Sequence, residues 1–529
     1  MEEPEALQTF KRFGFRWKVL AELPPDLIDR VMSEIQREDF REIAKTNRVR
    51  TVFVLRANGQ TYYVKWHRFR GWRDCILGSL RGTRARREWL NLRHLRRHGL
   101  PAVRPVLLGV RHRCGIPTQS VLMTQAETGE SLREADTGRT SSTDLARRVG
   151  KLIRQVHDAG LDCPDLHSEN VLVSPNALHL LDLHAARRCG SVPASRRAAN
   201  IAFLCNSFEA GQLTPSDRLR FLRAYLEAEP APAPLRDMWH AVDSAAKNLC
   251  ERHLRSRSRR CIVESTLFTR DRFRAGTVYR RRDFAAPDVI EAVERHRRVL
   301  AGAAPGEAAK RHHKTNVTLF RWEWDGEPVT LCVKEFVRPW ICRLLPRPIR
   351  HRNALAAWKA SLGLRVRNIE APEALGTLLG RGVHSYVVMR AVESARKLDD
   401  YVRSELGRDA APGDRRAFLR DAASAFQKLV DTGTAHDDLK ATNVLVRENG
   451  NDRRFILLDL DAVRFPGWVP LEQKLLNLAQ LSAALPLELS WADRLRFLRR
   501  LARHDARLNT RENIATIARL TRERTCTWQ

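Results

Sequence analysis

The sequence predicts an α+β protein made of two tandem copies of one bilobal unit, each a small β-rich lobe followed by a larger helical lobe. Three observations predict it. Five residue blocks recur in the same order at offsets of 269 to 277 residues. Each copy has β-rich runs around an Asn-Gly or Asp-Gly turn, and each continues into long segments of helical period.

The recurring blocks are Lys45-Thr46-Asn47 with Lys314-Thr315-Asn316, Val64-Lys65 with Val333-Lys334, NVLV at Asn170 and Asn443, LLDL around Asp182 and Asp459, and DRLRFLR at Asp217 and Asp493. Their offsets drift where the polar tip RENGNDRR replaces the shorter SPNA. Two segments qualify as linkers, AEPAPAPL (228–235) and the basic run RHLRSRSRR (252–260). The helix-like MWHAVDSAAKNLCERHL between them is expected to pack on the first copy, which gives domains of residues 1–252 and 253–529.

Within each copy the elements follow in order. VRTVFVLRANGQTYYVKWHR and VTLFRWEWDGEPVTLCVKEF read as hairpins turning at Asn58-Gly59 and Asp325-Gly326, with Lys65 and Lys334 late in the second strand. Helices RARREWLNLRHLRRHGLP and HRNALAAWKASLGLRVRNIEAP come next, then short strands VLMTQAE and VVMRAVE. TDLARRVGKLIRQVHDAG and RRAFLRDAASAFQKLVDTG are long helices, each stopped by glycine. The repeated DRLRFLR reads as a packing helix that buries Leu219, Leu222, Leu495 and Leu498.

Bulk composition excludes several classes. Ten cysteines with no C-x-x-C spacing suggest reduced thiols in a cytosolic protein, not a disulfide framework or a zinc site. The N-terminal residues lack the apolar core of a signal peptide, and no run is long and apolar enough to span a bilayer. The formal charge of +31 attracts polyanions. Nucleic acid is not the expected partner, because no zinc finger, RNP-like aromatic set or basic zipper accompanies the charge.

Repeat two carries HDDLKATN, His436 to Asn443. It resembles the H-x-D-L-x-x-x-N catalytic loop of protein kinases, where the Asp takes the acceptor hydroxyl proton and the Asn holds Mg2+. One rigid loop must aim the first at the acceptor and the second at the metal, which sets the spacing. By this resemblance Asp438 is the catalytic base and Asn443 a metal ligand. Asp459 in LLDLD stands where the D-F-G Asp binds Mg2+, and Lys334 where a lysine neutralises the ATP phosphates. Repeat one keeps Asp165 and Asn170 in CPDLHSEN, Asp182 in LLDLH and Lys65 in YYVKW. Glu88, on the following helix, supplies the partner of Lys65.

The wider set resembles the lipopolysaccharide core kinases, bacterial enzymes that phosphorylate Kdo or heptose sugars. It rests on R-x-x-R-E-W ending at Trp89, D-L-H and D-L-D in place of D-F-G, a glycine-poor nucleotide loop, and Asn200 and Asn477 on the helix after the second acid motif. The resemblance implies an ATP- and Mg2+-dependent phosphotransferase with two kinase-like domains. Its acceptor would be an anionic glycolipid or lipopolysaccharide precursor, met from the cytoplasm in peripheral contact with the anionic inner membrane.

Departures are visible in both copies. Cys163 and Pro164 replace the loop His and its neighbour, and Cys163 reads as a packed side chain. Ala357 stands at the position of Glu88, which leaves Lys334 without a helix carboxylate. With no G-x-G-x-x-G loop, phosphate cradling falls to backbone N–H groups with Lys45/Asn47 and Lys314/Asn316. His184 and Asp461 receive no role. The alternatives are a kinase–pseudokinase pair with a regulatory or scaffold role, and a Ser/Thr protein kinase. The short stretch DAVRFPGWVPLEQ after Asp459 lacks the length of a regulated activation segment and speaks against the latter.

Overall fold

Both hairpin turns hold two successive residues at positive φ: Asn58 at 50° and Gly59 at 74°, Asp325 at 57° and Gly326 at 77°. This is the type I′ geometry that matches strand twist and that Asn, Asp and Gly adopt at least cost. The computed structural model describes residues 6–20, 23–24, 26–46, 49–69, 71–135, 142–174, 177–208, 212–226, 235–407, 410–450 and 452–525. The chain divides into two compact units, Met1–Leu249 and Cys250–Gln529. The division falls inside the helix Leu235–Ser258, whose Met238 and Val242 are buried in the core of unit one. Most of the Pro/Ala linker, 228–234, lies outside the described residues.

Unit one begins with β1 (Leu7–Arg12), β2 (Phe15–Leu20), α1 (Leu27–Arg37), β3 (Ile43–Thr46), β4 (Arg50–Ala57), β5 (Gln60–Arg68), α2 (Trp72–Arg81), α3 (Arg84–Arg97), β6 (Pro105–Arg113) and β7 (Ile116–Gln125). The strands form one antiparallel sheet in the order β1-β2-β6-β7-β5-β4-β3. Unit two repeats this order with Phe268–Phe273, Gly276–Arg281, Ala374–Gly380, His384–Arg390, Glu327–Val337, Thr315–Trp324 and Glu307–Lys310. The first hairpin and the helix after it (α1, and Ala286–Leu300 in unit two) go beyond the sequence reading. Phe15, Trp17 and Val19 alternate inward from β2, and Trp17 lies so close over Gly109 that a Cβ there would meet its ring at 2.3 Å.

Strand register corrects one repeat. Lys45 pairs with Val52, which lies opposite Lys65, while Lys310 pairs with Val317, which lies opposite Lys334. Lys45 therefore corresponds to Lys310. The Lys-Thr-Asn match at offset 269 sets a β3 residue against one in the turn before Thr315–Trp324, so it is a coincidence of sequence. Asn47 itself lies outside the described residues.

The helical lobes follow. Helices Ser142–Asp158 and Pro412–Asp431 each end near a glycine of positive φ, Gly160 at 74° and Gly433 at 61°. The DRLRFLR segments lie in helices Pro215–Leu226 and Trp491–Leu501. Leu222 and Leu498 are buried as expected, whereas Leu219 and Leu495 are only half-buried. The repeated aspartate lies three residues after the hydroxyl residue that caps its helix: the Thr214 hydroxyl donates to Asp217, and the Ser490 hydroxyl accepts from the Asp493 N–H at 3.2 Å.

Candidate active sites

In unit one, Lys65 points off the middle of the sheet into a ring of carboxylates. Its Nζ lies 2.5 Å from Glu88 Oε1 and 3.4 Å from Asp182 Oδ1. Glu88 comes from α3 and is fully buried. Burial opposes the ammonium, but Glu88 and then Asp182 outweigh it and raise the Lys65 pKa. Burial pushes the Glu88 carboxyl up, against the pull of Lys65. Asp182 also receives Arg50 Nη1 at 3.0 Å and His184 Nδ1 at 2.8 Å. Its pKa is held well below the carboxylate range: burial works against this, but the His184 hydrogen bond, Lys65 and Arg50 together prevail.

The loop beneath is braced from several sides. Asn170 Nδ2 donates to the Asp165 carbonyl at 3.1 Å, which leaves its amide oxygen as the atom available to an ion. Asn200 Nδ2 donates to Asp162 Oδ1 at 3.0 Å, and the Ser168 N–H donates to Ser207 Oγ at 2.8 Å. Cys163 is packed among apolar neighbours, and burial pushes its thiol up to about 12.

In unit two the lysine has other partners. Lys334 Nζ bonds Asp459 Oδ1 and lies 2.6 Å from Asp461 Oδ1. Ala357 occupies the helix position of Glu88 and is buried in the apolar core. Lys334 thus does not lose its second carboxylate, as the sequence reading supposes; it takes one from the loop instead. Asn353, on the helix Arg352–Val366, donates to Asp461 Oδ2 at 3.4 Å and so ties that helix to the loop. Burial opposes the Lys334 ammonium, but Asp461 and Asp459 raise its pKa. Asp459 is lowered by Lys334 despite its burial, and Asp461 is raised by burial and by the neighbouring Asp459 charge.

The catalytic-type loop of unit two is held by His436 and Gln480. His436 Nδ1 accepts the Asp438 N–H at 3.1 Å, so Nε2 carries the proton it donates to the Leu458 carbonyl, also at 3.1 Å. Gln480 accepts from the Leu439 N–H at 3.0 Å and donates to the Asp437 carbonyl at 2.8 Å. Asn477 Nδ2 donates to the His436 carbonyl at 2.6 Å. Asn443 repeats the role of Asn170, donating to the Asp438 carbonyl at 2.8 Å. Lys440 Nζ lies 3.1 Å from Asp438 Oδ1. Sequence reasoning missed Arg50, Lys440 and Gln480, although Lys440 stands two residues from Asp438, and it gave no role to His184 and Asp461, which meet Asp182 and Lys334.

Asp182 and Asp459 share a rare backbone state. Both have positive φ, 51° and 53°, and both open a short 3-10 turn. Non-glycine residues held there are uncommon, and such strain gathers at functional sites. Among the described residues, Glu88, Asp182 and His184 each offer a ligand atom within 4.8 Å of the others. Mg2+ prefers oxygen donors, so the carboxylate of Asp182 with the Asn170 amide oxygen, and those of Asp459 and Asp461 with Asn443, fit such an ion better than a site using the His184 nitrogen.

The model of the lipopolysaccharide kinase (Kdo/WaaP) family matches residues 34–225 and 335–500. The lipopolysaccharide core heptose(I) kinase WaaP of Pseudomonas aeruginosa is 27% identical over 223 residues, covering 38% of this chain and 81% of that protein. Among solved structures, the chain is similar to WaaP in complex with acyl carrier protein, at 22% identity and a TM-score of 0.33, over 43% of this chain and 98% of the other. It is also similar to the spectinomycin phosphotransferase APH(9)-Ia in complex with ADP and spectinomycin, at 10% identity and a TM-score of 0.28, over 42% of this chain and 87% of the other. No helix among the described residues is long and apolar enough to cross a membrane.

Proposed function

The chain belongs to the lipopolysaccharide kinase (Kdo/WaaP) family in two tandem copies, and from that premise we propose that it transfers the γ-phosphoryl group of ATP to a sugar hydroxyl of lipopolysaccharide core or a related anionic glycolipid. The observation that carries this reading is the repeated constellation itself. Each unit sets a half-buried strand lysine on a left-handed aspartate and ties an asparagine amide to the carbonyl of the loop aspartate. A scaffold has no need to keep both sets.

Asp182 with Asn170, and Asp459 with Asn443, would hold Mg2+, which would supply positive charge to offset that of the ATP phosphates. Lys65 and Lys334 add fixed positive charge beside the phosphates, kept protonated by Glu88 in one unit and Asp461 in the other. Asp165 and Asp438, half-exposed on braced loops, orient the acceptor hydroxyl and take its proton. The braces keep that carboxylate in place, so catalysis is mainly positioning and electrostatics. The charge of +31 favours an anionic acceptor at the cytoplasmic face of the inner membrane.

Phosphoryl transfer from γ-labelled ATP to purified lipopolysaccharide core tests the proposal. Wild type is expected to label the core sugar, and the Asp165→Asn, Asp438→Asn double variant to lose labelling. Equal labelling by both would refute it.

A further inference from the structure

Between the lysine strand Glu327–Val337 and the helix Arg352–Val366, unit two turns apolar side chains outward. Trp340 is 78% exposed, Ile341 60%, Leu344 83% and Ile349 51%. The segment is not a slack loop. Two short turns, Trp340–Leu344 and Arg347–Arg350, shape it, and Cys342 points inward as its anchor. The Arg350 guanidinium donates to the carbonyls of Arg381 at 2.8 Å and Leu345 at 2.9 Å, and also to that of Arg343. The outward face is therefore a fixed apolar plane.

Its charge is one-sided. No Asp or Glu occurs between Glu335 and Glu370, while Arg338, Arg343, Arg347, Arg350 and Arg352 all fall there. Among the described residues none of these five pairs with a carboxylate. Unit one has exposed apolar side chains at the same place, with one acid, Asp74, in the segment. On α2, between the Lys65 strand and α3, Ile76 is 45% and Leu80 79% exposed, next to exposed Arg81, Arg84 and Arg86. In both units the segment leaves the sheet beside the residue that precedes the first strand of the lysine hairpin: the Val337 N–H donates to the Lys314 carbonyl, and the Arg68 N–H to that of Val49, each at 2.9 Å.

We propose that each of these segments is a bilayer-docking platform for anionic lipid. Tryptophan and branched apolar side chains enter the headgroup boundary, and arginines beside them meet lipid phosphates. This combination, without a single acid in the unit-two segment, fits a uniformly anionic surface better than a protein partner, whose interface would present both signs of charge. The proposal rests on the reading of the acceptor as a lipid-anchored glycan.

Co-sedimentation of the full chain with phosphatidylglycerol/phosphatidylcholine vesicles tests it, with phosphatidylcholine vesicles as the control. Wild type is expected to sediment with the first and much less with the second. Trp340→Ser with Leu344→Ser, and separately Arg343→Glu with Arg347→Glu, should each lower the partition coefficient by roughly tenfold or more. Adding Leu80→Ser should lower it further. Because these side chains are exposed, melting temperature and the Mg2+-ATP thermal shift should stay at wild-type values, so failure of docking and failure of the kinase reading are told apart. A wild type that stays in the supernatant, or folded variants that sediment like it, overturns the proposal. Self-association through the same residues without vesicle binding would make the surface a protein interface and also overturn it.

Discussion

Lys334 Nζ lies 2.6 Å from Asp461 Oδ1, while the helix position that supplies Glu88 to Lys65 is filled in unit two by the buried Ala357. Each strand lysine thus has one carboxylate besides the metal-type aspartate. In unit one it comes from the helix and His184 stands in the loop; in unit two it comes from the loop and an alanine stands on the helix. The carboxylate has changed element and kept its partner.

This exchange predicts a reciprocal rescue. In an Asp182→Ala background, where only unit two reports, Asp461→Asn removes a charged hydrogen bond of about 1.5–3 kcal/mol. The Kd for Mg2+-ATP should then rise roughly tenfold or more. Adding Ala357→Glu should recover part of it. In an Asp459→Ala background, Glu88→Ala should weaken binding in unit one and His184→Asp should restore it. Titration calorimetry reads both series; an unchanged Kd in Asp461→Asn would leave Asp461 a bystander, and rescue in neither series would contradict the exchange.

In the proposed mechanism the loop aspartates, Asp165 and Asp438, act on the acceptor and not on the nucleotide. Asp165→Asn and Asp438→Asn should each lower kcat of their own unit by about 10²–10⁴-fold, the usual scale for a general base, with Mg2+-ATP binding unchanged. A parallel loss of ATP binding would place them in nucleotide recognition instead.

The elements with a local signal were legible in the sequence. Asn58-Gly59 and Asp325-Gly326 dictate their turns, and Gly160 and Gly433 stop their helices, while the aspartates and asparagines of the two loops are singled out by the resemblance of their motifs to the kinase catalytic loop. What escaped depends on contacts distant in sequence. Arg50 meets Asp182 across 132 residues and Lys334 meets Asp461 across 127, and neither pairing leaves a mark on local periodicity. β1 is exposed along its whole length, so it shows no alternation, and only its pairing with β2 defines it. The Lys-Thr-Asn blocks look repeated, but strand register sets Lys45 against Lys310.

Asp182 should give the protein an acid-sensitive increment of stability. In the unfolded chain an aspartate takes its proton near pH ~3.9, whereas His184, Lys65 and Arg50 outweigh burial and hold Asp182 ionised below that. Its contribution is present above the unfolded pKa and is lost as pH falls toward the folded one. Between about pH 5 and pH 3 the wild-type melting temperature should therefore fall more steeply than that of Asp182→Asn. Parallel profiles would contradict the assigned charge state.

The thiols should sort by burial. Cys163 and Cys261, both pushed up to about 12 by burial, should resist alkylation in the native protein at mildly alkaline pH. Exposed Cys114 and Cys250 should react readily. Peptide mapping after iodoacetamide treatment checks this, and Cys163→Ala should keep phosphotransferase activity.

The most direct test of two nucleotide-binding units is the thermal shift produced by Mg2+-ATP in wild type, Asp182→Ala, Asp459→Ala and the double variant. A ligand bound to the native state raises the melting temperature by mass action. The arrangement of both sites predicts a shift in wild type, a reduced one in each single variant and none in the double variant. A double variant that shifts as far as wild type would contradict it.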